Sequence, residues 1–257
     1  MTRRSATALL PLAFTATTFL LGGCGGDPAS PAAGDEPPPG RATSTEPLGP
    51  AEPIEMKVIP AGTPLDPATY AMPILGGPGH GRAIVHVPDG YFSAGGWVID
   101  DGHGELAPDQ YGTLTFFGSV AKVDSDPCSP HGEMRPGPGV RALADALVAQ
   151  QHRTTTRPAP TTLGGHDGLY VESRAARGSG DCEHDLLKAR AADSLWLSDD
   201  IPGTTDRFWI VDVNGRRVVA VVQTMRGSTD DPAELIGIAR STRFDHIGRV
   251  PPFRPGP

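Results

Sequence analysis

Residues Asp181-Cys182-Glu183-His184-Asp185 place a thiol, an imidazole and three carboxylates within five positions. In an extended strand Cys182 and His184 share a face, and a thiol activated by a neighbouring base is a nucleophile. The same side chains are ligand types that zinc accepts. Both readings are incomplete, because a thiol protease draws its His from elsewhere in the chain and zinc needs more ligands than this spacing supplies. Asp100 to Glu105, "DDGHGE", gathers three carboxylates and His103. It lacks the alternating ligand positions of a calcium loop and reads first as a solvated hairpin turn. His166-Asp167 in "GGHDG" could be half of a catalytic dyad, but the flanking glycines mark a turn. "GGPGHG", 76–81, lacks the Lys-Ser/Thr of a phosphate loop and precedes a strand rather than a helix. The chain has eight His without metal-ligand spacing, and it contains no GxSxG or HExxH. No catalytic residue, metal ligand or cofactor is therefore expected, and the chain is read as non-enzymatic.

The N-terminus is more specific. Arg3 and Arg4 precede a mostly apolar run, Ala8 to Leu21, and then Gly22, Gly23 and Cys24. This is the layout of a secretory signal peptide. A transmembrane helix would need about 20 mostly apolar residues; this run is shorter and is interrupted by Pro11, Thr15, Thr17 and Thr18. Leu21-Gly22-Gly23-Cys24 resembles the bacterial lipobox. That resemblance implies a diacylglycerol on the Cys24 thiol and cleavage just before it. Two or more acyl chains hold a protein on a membrane, where one is marginal. The competing reading is a secreted protein with an unmodified cysteine. Ser5-Ala6-Thr7 after Arg3-Arg4 matches a twin-arginine signal poorly, so the export route stays open.

The formal charge is −8, and loss of residues 1–23 removes two arginines and no acid, leaving about −10. A nucleic-acid partner would need a basic face, and none is expected. The acidic balance also argues against electrostatic adhesion to anionic lipid. The expected location is the extracytoplasmic face of the cell membrane, with lipid on Cys24 as the membrane contact.

Residues 24–53 contain eight Pro and five Gly, with Leu48 their only large aliphatic residue. Such a segment buries too little surface to offset the entropy of ordering and should be a disordered tether. Residues 54–250 are long enough for one domain with a real core. Residues 251–257 form a Pro-rich tail.

Within the domain, "EMKVIP" (55–60), "RAIVHVP" (82–88), "GWVID" (96–100) and the long run 111–123 read as strands. Val140, Leu143, Ala144, Leu147 and Val148 repeat at helical spacing. Strands resume at "APTTLG" and "GLYVESR". Asn214-Gly215 between "DRFWIVDV" and "RRVVAVVQT" calls for a type I′ hairpin. Asp231-Pro232-Ala233-Glu234 then opens a second helix with a cap, Pro at its first position and Glu at its third, and Leu235, Ile236 and Ala239 form its buried stripe. "TRFDHI" is a last short strand. Trp97, Phe116, Phe117, Phe208 and Trp209 are expected in the core, and Trp196 in a loop. The order predicts an α+β fold, a mostly antiparallel sheet with two main helices packed on one face.

Thiols outside the cell oxidise. With Cys24 lipidated, two cysteines remain, Cys128 and Cys182, and a disulfide between them leaves no orphan. The chain-entropy model values a loop of this length at about 4 kcal/mol.

"DPC" (126–128), "GLYVE" (168–172), "DC" (181–182) and "DRFWIVDVNGRRVV" (206–219) resemble a family of actinobacterial secreted and lipid-anchored domains. The resemblance spans roughly residues 82–244 and implies a one-disulfide α+β domain with no fixed activity. In outline it is also similar to the PsbP/Mog1-like fold of LpqN-type lipoproteins, a likeness of architecture that says little about function. The leading expectation is a lipid-anchored envelope domain that binds a small ligand or an envelope protein. The alternatives are an envelope hydrolase or thiol/redox enzyme using Cys182 with His184 or His166 with Asp167, and an accessory or sensory subunit of a complex.

Overall fold

The computed structural model describes residues 51–76, 81–101, 112–118, 120–126, 132–175, 185–189, 196–198, 203–225 and 232–248, with backbone alone for 185–189 and 196–198. All belong to one unit, Gly49–Pro257. Six strands come first: β1 (Ile54–Glu55), β2 (Thr63–Pro64), β3 (Ala68–Pro73), β4 (Arg82–Val87), β5 (Phe92–Ser93) and β6 (Val98–Asp100). Then β7 (Gly112–Phe117), β8 (Val120–Asp124) and β9 (Glu133–Met134) precede helix α1 (Val140–Val148). After it come β10 (Arg153–Thr155), β11 (Ala159–Leu163), β12 (His166–Ala175), β13 (Asp185–Ala189) and β14 (Trp196–Ser198). The hairpin β15 (Thr205–Val213) and β16 (Arg216–Thr224), helix α2 (Pro232–Arg240) and β17 (Arg243–Asp245) complete the order.

The described strands make three sheets. The central one has nine strands, ordered β10-β12-β15-β16-β7-β6-β5-β2, with β11 also paired to β12. The second runs β1-β3-β4-β17 and the third β14-β13-β8-β9. All named pairings are antiparallel except β1 with β3.

Alternation along β15 and β16 sends side chains to two separate cores. Phe208, Ile210, Val219 and Val221 meet Leu143, Ala144 and Leu147 of α1 and Val120 and Val123 of β8. Trp209, Val211, Ala220 and Val222 meet Tyr70, Met72, Val85 and Val87 of the second sheet, and Leu235, Ile238 and Ala239 of α2. The central sheet is therefore covered on both sides, which is why every residue of β16 after Arg216 is buried. This corrects the α+β expectation. The described residues are mainly strand, with two nine-residue helices that lie on opposite faces of the central sheet rather than together on one. The physical reason lies in "VVAVV": a run apolar at every position has no solvent face, so both sides need cover.

Other local expectations have mixed outcomes. Asn214 and Gly215 hold φ of 58° and 79°, as a type I′ turn requires, and Gly215 N–H donates to Asp212 Oδ1 at 2.6 Å. The run 111–123 is not one strand. It divides between β7 in the central sheet and β8 in the third. Phe116, Phe117, Phe208 and Trp209 are buried, but Trp97 is only half-buried, and Trp196 begins a strand. Ile238 joins the α2 stripe, and Ile236 is only partly buried.

The start of α1 has no side-chain cap and is pinned instead through the carbonyls that lead into it. Its N-cap is Gly139, with no side-chain acceptor. The buried Arg217 guanidinium reaches across from β16 and donates to the carbonyls of Gly139 at 3.1 Å and Val120 at 2.7 Å, and to that of Gly137. Desolvation pulls the Arg217 pKa below its usual value.

Candidate functional site

Strands β12, β15 and β16 stop alternating cleanly at the end remote from the Asn214-Gly215 turn, and both faces become polar there. On the α1 face, Leu169 and Val171 give way to Ser173, Phe208 to Asp206, and Val221 to Gln223. β10 adds Arg153 and Thr155, the latter opposite Ser173. Asp206 accepts from Arg153 Nη2 and, at 2.8 Å, from Gln223 Nε2. Arg153 Nε donates to Ser173 Oγ at 2.7 Å, and the hydroxyls of Thr155 and Ser173 lie 2.9 Å apart. The two charged side chains are sealed, at 1% exposure for Arg153 and 0% for Asp206. Burial pushes the Asp206 carboxyl up, against the opposing pull of Arg153 and then Gln223. Ser173 receives a proton donor here instead of facing a base, so the cluster fixes strand register and does not present a nucleophile.

The opposite face of the same strands is half-open. Tyr170, Glu172 and Arg174 of β12 stand opposite Trp209, Arg207 and Thr205 of β15. Tyr170 packs on Trp209 with ring centroids 5.0 Å apart, and its hydroxyl donates to Glu172 Oε2 at 3.2 Å. Arg207 Nε lies 3.4 Å from the same oxygen, while Arg207 Nη1 donates to Thr224 Oγ1 at 2.9 Å. Arg174 Nε donates to Thr205 Oγ1 at 3.2 Å. Desolvation raises the Tyr170 pKa, Glu172 adds to the rise, and Arg207 opposes it. A phenol so shifted keeps its proton at neutral pH. It can stack and donate, but it is not a base. The row offers a ligand one aromatic face, one carboxylate and the arginines beside it.

A third polar group joins the first and last strands of the described residues. Arg82 of β4 bonds Glu55 of β1 and, through Nη2 at 2.6 Å, Asp245 of β17. The guanidinium holds the Asp245 carboxyl below the usual range.

The residues singled out by sequence are not brought together. Cys24, Cys128, Cys182 and His184 lie outside the described residues, as do His103 and Glu105. Asp100 ends β6, and Asp101 accepts from Gly112 N–H. Gly164 and Gly165 form the β11–β12 turn, with φ of 59° and 78°. A Cβ on Gly164 would come within 2.9 Å of Phe244, so the turn needs glycine. His166 packs edge-on against Phe244 at 5.7 Å. Being successive strand residues, His166 and Asp167 point to opposite faces and cannot form a dyad with each other. Among the described residues no group of three or more His, Cys, Asp or Glu side chains could hold a metal ion.

Sequence reading passed over the Arg153–Asp206 and Tyr170–Glu172–Arg207 clusters. The first left a signal. Alternation that puts Phe208 and Ile210 inward puts Asp206 inward too, and a charge at an inward position demands a partner. The partner Arg153 is 53 residues away and belongs to a strand too short to recognise. No family model matches the chain, and no curated protein matches it.

Proposed function

We propose that this chain is a lipid-anchored cell-envelope protein whose β domain binds a ligand or an envelope partner without transforming it. The half-open row Tyr170, Glu172 and Arg207 carries the binding part of this reading. It combines an amphipathic aromatic ring with charged groups already oriented by their own hydrogen bonds, a composition suited to recognition. Leu21-Gly22-Gly23-Cys24 supports the anchor, and the Pro-rich stretch 24–53 supports a tether between lipid and domain. The likeness to actinobacterial secreted domains agrees with that location.

A Cys128–Cys182 disulfide belongs to the same reading. Its support is the cysteine count: with Cys24 lipidated, Cys128 and Cys182 are the two that remain, and thiols outside the cell oxidise.

The test has two readouts. Intact-mass spectrometry of protein extracted from membranes should find a chain beginning at lipidated Cys24, with a disulfide that disappears on reduction. A photocrosslinking residue in place of Tyr170 should give one discrete product in intact cells, lost in the Arg207→Glu background. Turnover of a defined substrate, abolished by changing one polar side chain, would overturn the non-catalytic reading. A free Cys182 thiol in the native protein would revive the thiol-enzyme alternative.

A further inference from the structure

The first residues of the domain leave apolar side chains in water. Ile54 is 44% exposed and Val58 is 71% exposed, two of the three large apolar residues so exposed among the described residues. The local cause is a 3-10 turn, Met56–Val58, entered directly from β1. With three residues per turn, burying Met56 in the core and Ile59 at its edge forces Lys57 and Val58 outward.

A second feature adjoins this turn. The β5–β6 connection passes through Gly95 and Gly96, at φ of 83° and 80°. A Cβ on Gly96 would lie 2.8 Å from the carbonyl oxygen of Met56 and 3.1 Å from Lys57 Cα, so the two backbones are packed directly together. Ser93 Oγ donates to the Ile59 carbonyl at 3.2 Å, and Gly62 N–H donates to the Ser93 carbonyl at 2.7 Å. This riveted corner carries Trp97, half-buried, its indole Nε1 lying over Gly95.

We infer that the corner of Ile54, Val58 and Trp97 rests in the headgroup boundary of a lipid bilayer. This rests on the proposed membrane anchor. Exposed aliphatic side chains, an exposed Lys and, across the Gly96 backbone contact, a half-buried Trp form the composition that settles at a membrane–water boundary. The placement agrees: the segment expected to lead from the lipid enters the domain at Ile54, so the corner is the part of the domain that the tether reaches first. Electrostatics contributes little. Lys57 lies 3.7 Å from Glu55, and the chain from Cys24 onward carries a net charge of about −10, from −8 less the two arginines of residues 1–23. The favoured surface is therefore a zwitterionic one, entered by apolar side chains. Such contact would orient the domain on its tether and fix which side faces away from the membrane.

The experiment supplies the anchor artificially, so that it reads the corner whatever Cys24 carries. The mature chain from Gly25, with an N-terminal hexahistidine, is held on phosphatidylcholine vesicles containing nickel-chelating lipid. A fraction of the lipids is brominated near the headgroup end. The bromolipids should quench tryptophan emission of the wild-type chain. That quenching should fall at least threefold in Trp97→Phe and in the double variant Ile54→Ser, Val58→Asp. Equal quenching in all three proteins, or none in the wild type while the vesicles still float it, would overturn the inference. Circular dichroism checks each fold, and Val58→Ser replaces the aspartate variant if that variant unfolds. Failure of the natural anchor is read separately, from the mass of Cys24.

Discussion

Asp206 and Arg207 are neighbours in sequence and sit in opposite worlds. Asp206 points into the α1 face, where Arg153, Gln223 and Ser173 enclose it completely. Arg207 points into the α2 face, where its carboxylate partner Glu172 still meets solvent. The two pairs have the same chemistry, arginine with carboxylate, and differ in the medium around them. In the sealed pair neither charge can recover its hydration if the other is lost. In the half-open pair, water and neighbouring arginines stand ready to substitute. The sealed cluster is therefore suited to holding the sheet in register, and the open one to exchanging partners.

The largest expected effect comes from breaking the sealed pair. Asp206→Ala leaves the Arg153 charge buried and uncompensated, which costs about 3–5 kcal/mol. Urea denaturation should show this as a large drop in midpoint. Arg207→Ala, the counterpart on the other face, should lower stability by about 1 kcal/mol or less. A comparable loss in both variants would erase the distinction between the faces. A double-mutant cycle sharpens it. Coupling between Glu172 and Arg207 should stay below about 1 kcal/mol and shrink further in salt. Coupling between Arg153 and Asp206 should be several times larger and nearly indifferent to salt.

Titration of Tyr170 gives a smaller effect at high pH. Its folded pKa is raised, so the folded state prefers the neutral phenol. Its contribution is complete below the unfolded value of about 10 and is lost as pH rises through the folded value. Tyr170→Phe should therefore flatten the alkaline fall of the melting temperature. Part of the slope should remain, because Tyr70 is shifted in the same direction. The smallest effect belongs to Asp245. Its pKa is depressed by Arg82, so its contribution is present above the usual carboxylate range and fades as pH falls through the folded value. Arg82→Gln should weaken this acid dependence, read as the slope of melting temperature below about pH 4.

The features legible in sequence are those whose cause is local. Asn214-Gly215 fixes its hairpin by itself, and Pro232 with Glu234 marks the start of α2 through backbone chemistry that needs no distant partner. The helical repeat from Val140 to Val148 was legible for the same reason. The side of the sheet taken by each helix was not, because period-two alternation separates two faces without saying what covers either. Trp97 misled for a related reason. Its apolar neighbours Val98 and Ile99 make a strand, but the indole belongs to the Gly95-Gly96 turn before it, outside the core. Of the open row, "LYVES" shows the strand, while the contact of Glu172 with Arg207 depends on a register between segments 35 residues apart.

The closure of the second sheet has a consequence for when the domain can fold. Hairpin β15–β16 joins residues that are close in sequence and can form as soon as both strands exist. The pairing of β17 with β4 sets Arg243 opposite Ile84 and Phe244 opposite Ala83, nearly the whole domain apart along the chain. Loops of that size close slowly and only after local structure is in place. The sheet that starts at Ile54 therefore stays incomplete until Asp245 has been delivered. A chain made N-terminus first would therefore hold its first strands waiting for its last, and final assembly would follow synthesis of the whole domain instead of competing with it.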